Sequence, residues 1–286
     1  MVSKMRKKFT VSNLIVQILL VIWAIIQLYP MLFMVFSSFK ETGEIMMSPF
    51  ALPSSLYVQN YIDAWRGNAA TAEYSMRVFF GNSVLITVIS MVVLVFVTLF
   101  AGYALARFKF PGYKFVYYMV TCFIAIPTQA LIVPVFVMIQ EWGGLNNPLS
   151  MIPLLVTFNL AFSIVIMKTN FESIPHEIEE AACIDGCSKF KTFWYVSMPM
   201  SRGSIATIVI VNLTALWSEF MYSSVILMLP ESRTLPVAIS MFNTNMYNNT
   251  LGPLMASLTI ASIPLVLAYF VFQKQIVKGM AVGAIK

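Results

Sequence analysis

Six long runs of the chain carry almost no charge: one ending at Lys40, then those between Arg77 and Arg107, Lys114 and Glu141, Glu141 and Lys168, Arg202 and Glu231, and Arg233 and Lys274. Roughly 20 apolar helical residues cross the hydrocarbon core of a bilayer, so each run is long enough for one crossing. Composition agrees, because 59% of the 286 residues are hydrophobic and only 10% charged, far from a soluble globular chain. The expectation is an all-α polytopic membrane protein with six transmembrane helices, the first near Leu14 to Phe36. The basic start, Met1 to Lys8, resembles a signal peptide, but the apolar part that follows is too long and has no small-x-small cleavage site, which predicts an uncleaved span.

Charge placement orients these spans. With the N-terminus inside, the inner segments hold fourteen of the Lys and Arg residues, and the outer segments hold only Lys40, Arg66, Arg77 and Arg233. Cytoplasmic loops carry such an excess, so both termini and the polar stretch between Lys168 and Arg202 are expected in the cytosol. The net charge of +6 is then a membrane-orientation signal and not a nucleic-acid footprint. Cys122 falls in an apolar run, and Cys183 and Cys187 fall on the expected cytosolic loop. No disulfide framework follows, and all three read as reduced thiols with no further metal ligand in sight.

The sizeable polar island, Ser173 to Pro199, reads as helix, glycine turn, helix. Pro175 suits a first helical turn, and Glu177, Glu179 and Glu180 put negative charge at the positive end of the helix dipole. Ala181 and Ala182 keep one face thin, Gly186 can end the helix in the left-handed region, and Ser188 can cap the next one. On that second helix Phe190, Phe193 and Trp194 fall on one face, until Pro199 is expected to disrupt it.

The spacing Glu180-Ala181-Ala182, Gly186, then Val196-x-Met198-Pro199 resembles the EAA loop of permease subunits in binding-protein-dependent ABC importers. Asp185 fits the common Asp-Gly pair, and Arg202 stands where many relatives have proline. The resemblance implies a MetI-like permease fold in which this hairpin docks in a cleft of a cytoplasmic ATPase. Glu180, Ala181, Ala182, Asp185, Gly186, Phe190 and Pro199 are thereby expected to couple to that ATPase. It also implies the partners: a second similar permease, two copies of the ATPase carrying ATP and Mg, and an extracytoplasmic solute-binding protein. The Thr234-Leu-Pro236 signature and the tail from Phe272 to Lys286 resemble carbohydrate importers of the MalG type, which implies a sugar or oligosaccharide as solute. The expected division is an N-terminal span with its outer segment (1–75), a permease core (76–274) holding the EAA-like loop (175–199), and a cytoplasmic tail (275–286).

Other features bear on the solute path. Tyr57, Tyr61 and Trp65 in the outer segment meet either sugar or a partner protein, or the membrane surface, where such residues are common. Pro127 and Pro134 are expected to bend the third span, which is then either a cavity wall near Gln129 or a structural kink without ligand contact, while Pro153 and Pro264 are expected to bend others. Glu219 is an acidic residue inside an apolar run, flanked by Trp217 and Tyr222. Such a residue costs about 2.5 to 3.5 kcal/mol at mid-membrane, so it requires a partner. Two roles stay open for it: an acceptor for sugar hydroxyls beside aromatic rings, or a helix-positioning group. Enzyme classes find no support, since His176 is the single histidine and no nucleophile elbow, HExxH or phosphate loop is present. The alternatives are an importer permease for a non-sugar solute and an ion-coupled carrier using Glu219.

Overall fold

The computed structural model describes residues 11–67, 75–242 and 251–283. The expected basic start at Lys4 to Lys8, the Asn-rich loop 243–250, the side chains of the tail from Lys274 and the terminal Lys286 lie outside the described residues. Among the described residues the chain is helical, without strands. In order the helices are α1 (Val11–Ser37), α2 (Thr42–Met47), α3 (Gln59–Arg66), α4 (Met76–Arg107), α5 (Tyr113–Phe123), α6 (Ile132–Glu141) and α7 (Met151–Ser173). They continue as α8 (His176–Ile184), α9 (Lys189–Thr192), α10 (Met198–Met200), α11 (Arg202–Trp217), α12 (Met221–Ile226), α13 (Leu235–Phe242) and α14 (Leu251–Gly283).

Five stretches among the described residues are long and apolar enough to cross a membrane: Leu14–Ser37, Met76–Arg107, Pro148–Ser173, Arg202–Ile226 and Leu251–Gln273. The sixth expected crossing is a pair, Tyr113–Phe123 and Thr128–Glu141, bent by 91°. Only one of its two prolines makes that bend. Pro127 sits in the break, with extended backbone and no amide to offer. Pro134 occupies the first turn of α6, where an amide would have no helical partner anyway. The expected bend at Pro153 is absent for the same reason, since this residue lies in the first turn of α7. Pro264 lies inside α14.

The chain forms two compact units, one of Met1–Ala72 with Phe242–Ile260 and the other of Glu73–Met241 with Ala261–Lys286. In the first, residues from Leu14 to Leu32 of α1 are exposed. The loop after α1 is tied down by polar contacts. Lys40, fully buried, donates from Nζ to the carbonyls of Ser48 (3.0 Å) and Pro49 (3.3 Å), capping the negative end of α2. Asn60 donates to the carbonyls of Ser38 (3.0 Å) and Lys40 (2.7 Å). Tyr61 of the outer segment hydrogen-bonds Ser38, at 2.7 Å between hydroxyls, so it is a structural member of this loop.

The second unit is built on α4 packed along α7. Gly102 permits their close approach: a Cβ there would come within 2.8 Å of the Met167 Cβ. One apolar cluster joins Ile86 of α4, Leu154 and Leu155 of α7, Leu216 of α11 and Tyr222 of α12. A second joins Leu99 and Tyr103 of α4, Met167 and Phe171 of α7, and Ile208 of α11 to Phe193, in the turn after α9. The polar hairpin is thus seated on the same α4–α7–α11 core as the apolar spans.

Candidate functional site

The hairpin begins where the sequence places it. Pro175 precedes α8, and Glu177 and Glu179 stand in its first turn. Helix α8 ends in a complete glycine cap, because Gly186 takes φ +88°. Its amide bonds the Cys183 carbonyl (3.1 Å), and the Cys187 amide bonds that of Ala182 (3.0 Å). The Ser188 hydroxyl then accepts from the Lys191 amide at 3.4 Å and starts α9.

Pro199 does not end the second helix. Between Phe193 and Ser197 the backbone widens into a π turn, with the Met198 amide bonded to the Phe193 carbonyl, and α10 follows through Pro199 to Met200. A proline ring collides with the carbonyl four residues back, and the wider turn moves that carbonyl aside. The aromatic residues also separate. Phe193 is 2% exposed, in the core beside Phe100, Tyr103 and Phe171, whereas Phe190 is 62% exposed. Trp194 links them edge-on, 5.3 Å from Phe193 and 6.2 Å from Phe190.

The coupling residues expected from sequence fall mostly on the hairpin's free surface. Glu180, Ala181, Asp185 and Phe190 are exposed, and Ala182 and Pro199 are half-buried. Ile184 and Tyr195 join them as exposed apolar side chains, at 86% and 76%. Sequence reading missed Ile184, whose only signal is an isoleucine in the last turn of a helix just before its glycine cap.

It also missed the residue that anchors the hairpin. Glu179 pairs with Arg107 at 3.0 Å, and the side chains of these two residues are only 12% and 4% exposed. The Ser197 hydroxyl donates to the same carboxylate at 2.6 Å, and Arg107 also donates to the Ile174 carbonyl at 2.9 Å. Arg107 approaches His176 Nε2 at 3.4 Å. Between α8 and the end of α4 lies an open cavity of about 460 Å³, bordered by Arg107, Phe108, His176, Glu180 and Lys189. Cys183 opens on it, its sulfur 3.8 Å from the Thr192 hydroxyl.

The four residues assigned to the solute path are brought together only in part. Tyr222, 4% exposed, donates from its hydroxyl to the Thr128 carbonyl at 2.5 Å, joining α12 to the turn that carries exposed Gln129. Trp217 is buried and donates to the Ala261 carbonyl at 3.0 Å. Glu219 sits in the break between α11 and α12, and its carboxylate caps α12. It accepts from the amides of Tyr222 (2.7 Å) and Ser223 (3.0 Å) and from the Ser223 hydroxyl (2.5 Å). The partner demanded by a carboxylate in an apolar run is thus its own helix N-terminus. Beside it is a small space of about 10 Å³, the size of one water, bordered by Ser83, Thr87, Thr234 and Trp217.

Comparison with known proteins bears on the family and the fold. The family described as binding-protein-dependent transport system inner membrane component matches residues 98–282. The chain is 32% identical to the diacetylchitobiose uptake system permease protein NgcG of Streptomyces coelicolor, over 94% of this chain and 87% of that one. It is 31% identical to the multiple sugar-binding transport system permease protein MsmG of Streptococcus mutans, over 99% and 100%. With the trehalose/maltose transport system permease protein MalG of Thermococcus litoralis the identity is 28%, over 93% and 94%. Among solved structures, a chain of a bacterial ABC transporter that imports the acidic polysaccharide alginate has the same fold. The TM-score is 0.78 over 96% of this chain and 98% of that one, at 21% identity. A carrier driven by an ion gradient is not favoured by any of these matches. A membrane-spanning helical core, a glycine-hinged hairpin of EAA spacing and a match across 98–282 lead to one assignment: the chain belongs to the inner membrane components of binding-protein-dependent ABC transport systems.

Proposed function

We propose that the chain is the translocating subunit of an ATP-driven importer for a sugar or oligosaccharide, lying in the cell membrane with both termini in the cytosol. It works beside a second permease, and a pair of cytoplasmic ATPases binds ATP and Mg for it. An extracytoplasmic binding protein delivers the solute. The observation that carries this reading is the hairpin: Glu180, Ala181 and Phe190 form a free surface on two short helices whose angle is set by Gly186 at φ +88°. Such a rigid, capped projection suits docking in a cleft, with Glu180 opposite a basic group and the small alanines allowing close approach. The sugar assignment draws its support from the relatives named for sugar uptake and from Thr234-Leu-Pro236. Gln129, Trp217, Glu219 and Tyr222 are the proposed border of the solute path, with the last three shaping it through the α11–α12 break.

The test is to purify the tagged chain from cells expressing the whole transport operon, and to assay uptake of labelled maltose, trehalose and diacetylchitobiose in liposomes. The ATPase is expected to co-purify with the unaltered chain and to be lost with Glu180→Arg, and uptake of at least one sugar is expected to require internal ATP. Uptake by the chain alone under an ion gradient would refute the proposal.

A further inference from the structure

Resting on the reading of the hairpin as the ATPase-docking element, we infer that Arg107 and Glu179 clamp it to α4, making α4 the rod that carries its motion to the far side of the membrane. The two neighbouring acids of the hairpin face different ways. Glu180 is exposed, whereas Glu179 turns inward and both its oxygens are engaged, by Arg107, Ser197 and Tyr103. Glu179, on the wall of the open cavity between α8 and α4, thereby binds the hairpin to its own membrane core.

The clamp draws in four segments at once. Arg107 is the last residue of α4, Ile174 follows α7, Glu179 is on α8, and Ser197 ends the π turn. Charge-assisted hydrogen bonds with so little exposure fix distance and direction more firmly than a solvated pair does. Phe193 sits against Tyr103 at 4.9 Å and wedges the same joint from its apolar side.

The other end of α4 is also fastened. Asn82 donates to the carbonyls of Glu231 (2.9 Å) and Arg233 (3.0 Å), and the Ser83 hydroxyl accepts from the Leu235 amide (2.8 Å). Ser83 and Arg107 lie on one uninterrupted, proline-free helix, so at about 1.5 Å per residue the two fastenings are roughly 36 Å apart. A hairpin pushed by its partner then moves the Glu231–Leu235 segment without intervening slack. Glu179 is a positioning residue in this scheme: it acts through Arg107 and touches neither solute nor ATPase.

The experiment uses the assembled importer with its own ATPase. Cys122, Cys183 and Cys187 are replaced by serine, and spin labels are placed through Glu177→Cys on α8 and Phe96→Cys on α4, both exposed positions. Electron–electron distances are measured without nucleotide and with ATP plus vanadate. In the chain with the clamp intact one narrow distribution is expected, unchanged between the two states. Glu179→Ala, Arg107→Ala and the double variant are expected to broaden it to the same extent, because each removes the same joint. A nucleotide-dependent shift of about 5 Å, one helical turn, with the clamp intact would overturn the proposal, and that arm needs no clamp variant to fold. Additive effects of the two alanine variants, or an unchanged distribution in Glu179→Ala, would overturn it as well. Failure of the ATPase to co-purify with the unaltered chain sinks the docking assignment, whereas a shifting distance with the ATPase present sinks only the clamp.

Discussion

At residue scale the hairpin depends on one backbone angle. Gly186 at φ +88° has open space around it, since an added Cβ would meet nothing within 4 Å, so the demand for glycine there is conformational and not steric crowding. A β-branched side chain forced into the left-handed region costs about 1 to 3 kcal/mol, too little to unfold a multi-span core but enough to swing α9 out of line with α8. Gly186→Val is therefore expected to reach the membrane at normal abundance and to lose at least tenfold in ATP-driven uptake, read by immunoblot and by transport in the same vesicles. Gly186→Ala, with a smaller penalty at the same angle, is expected to fall between the two. The neighbouring acids show how much a single position decides: Glu179 and Glu180 are alike in charge, yet one is held in the core by Arg107 and the other is free.

At the scale of elements, breaks matter more than helices. Helix α12 is six residues long and has no independent stability, so its existence rests on packing and on the Glu219 cap. Removing a helix cap costs about 0.5 to 2 kcal/mol. In Glu219→Ala the amides of Tyr222 and Ser223 are expected to exchange hydrogen roughly fivefold faster or more. Equal exchange in Glu219→Ala and the unaltered chain would show that packing alone holds α12. The 91° bend between α5 and α6 and the π turn before Pro199 obey the same rule, since in each the chain yields where a proline cannot bond and stays regular where it needs no bond.

At the scale of the whole molecule, topology is the point most open to direct test. Cys183 is exposed on the hairpin, so a membrane-impermeant maleimide is expected to label it in inside-out vesicles and not in intact cells, with Cys122 and Cys187 replaced by serine. The reverse pattern would place the hairpin on the wrong face for any cytoplasmic ATPase. Much of this molecule was legible in its residues. Runs of twenty or more apolar side chains can satisfy a bilayer only as helices, and Pro175, Gly186 and Ser188 specify caps through contacts a few residues apart, so the spans, the hairpin and its turn follow from local chemistry. The engagement of Glu179 by a residue 72 positions away, the inward turn of Phe193 beside an exposed Phe190, and the spending of the Glu219 carboxylate on its own helix were decided only by tertiary structure. The physical reason is that helical periodicity tells which residues share a face, but what that face meets depends on how α4, α7 and α11 pack, and packing is a property of distant segments together.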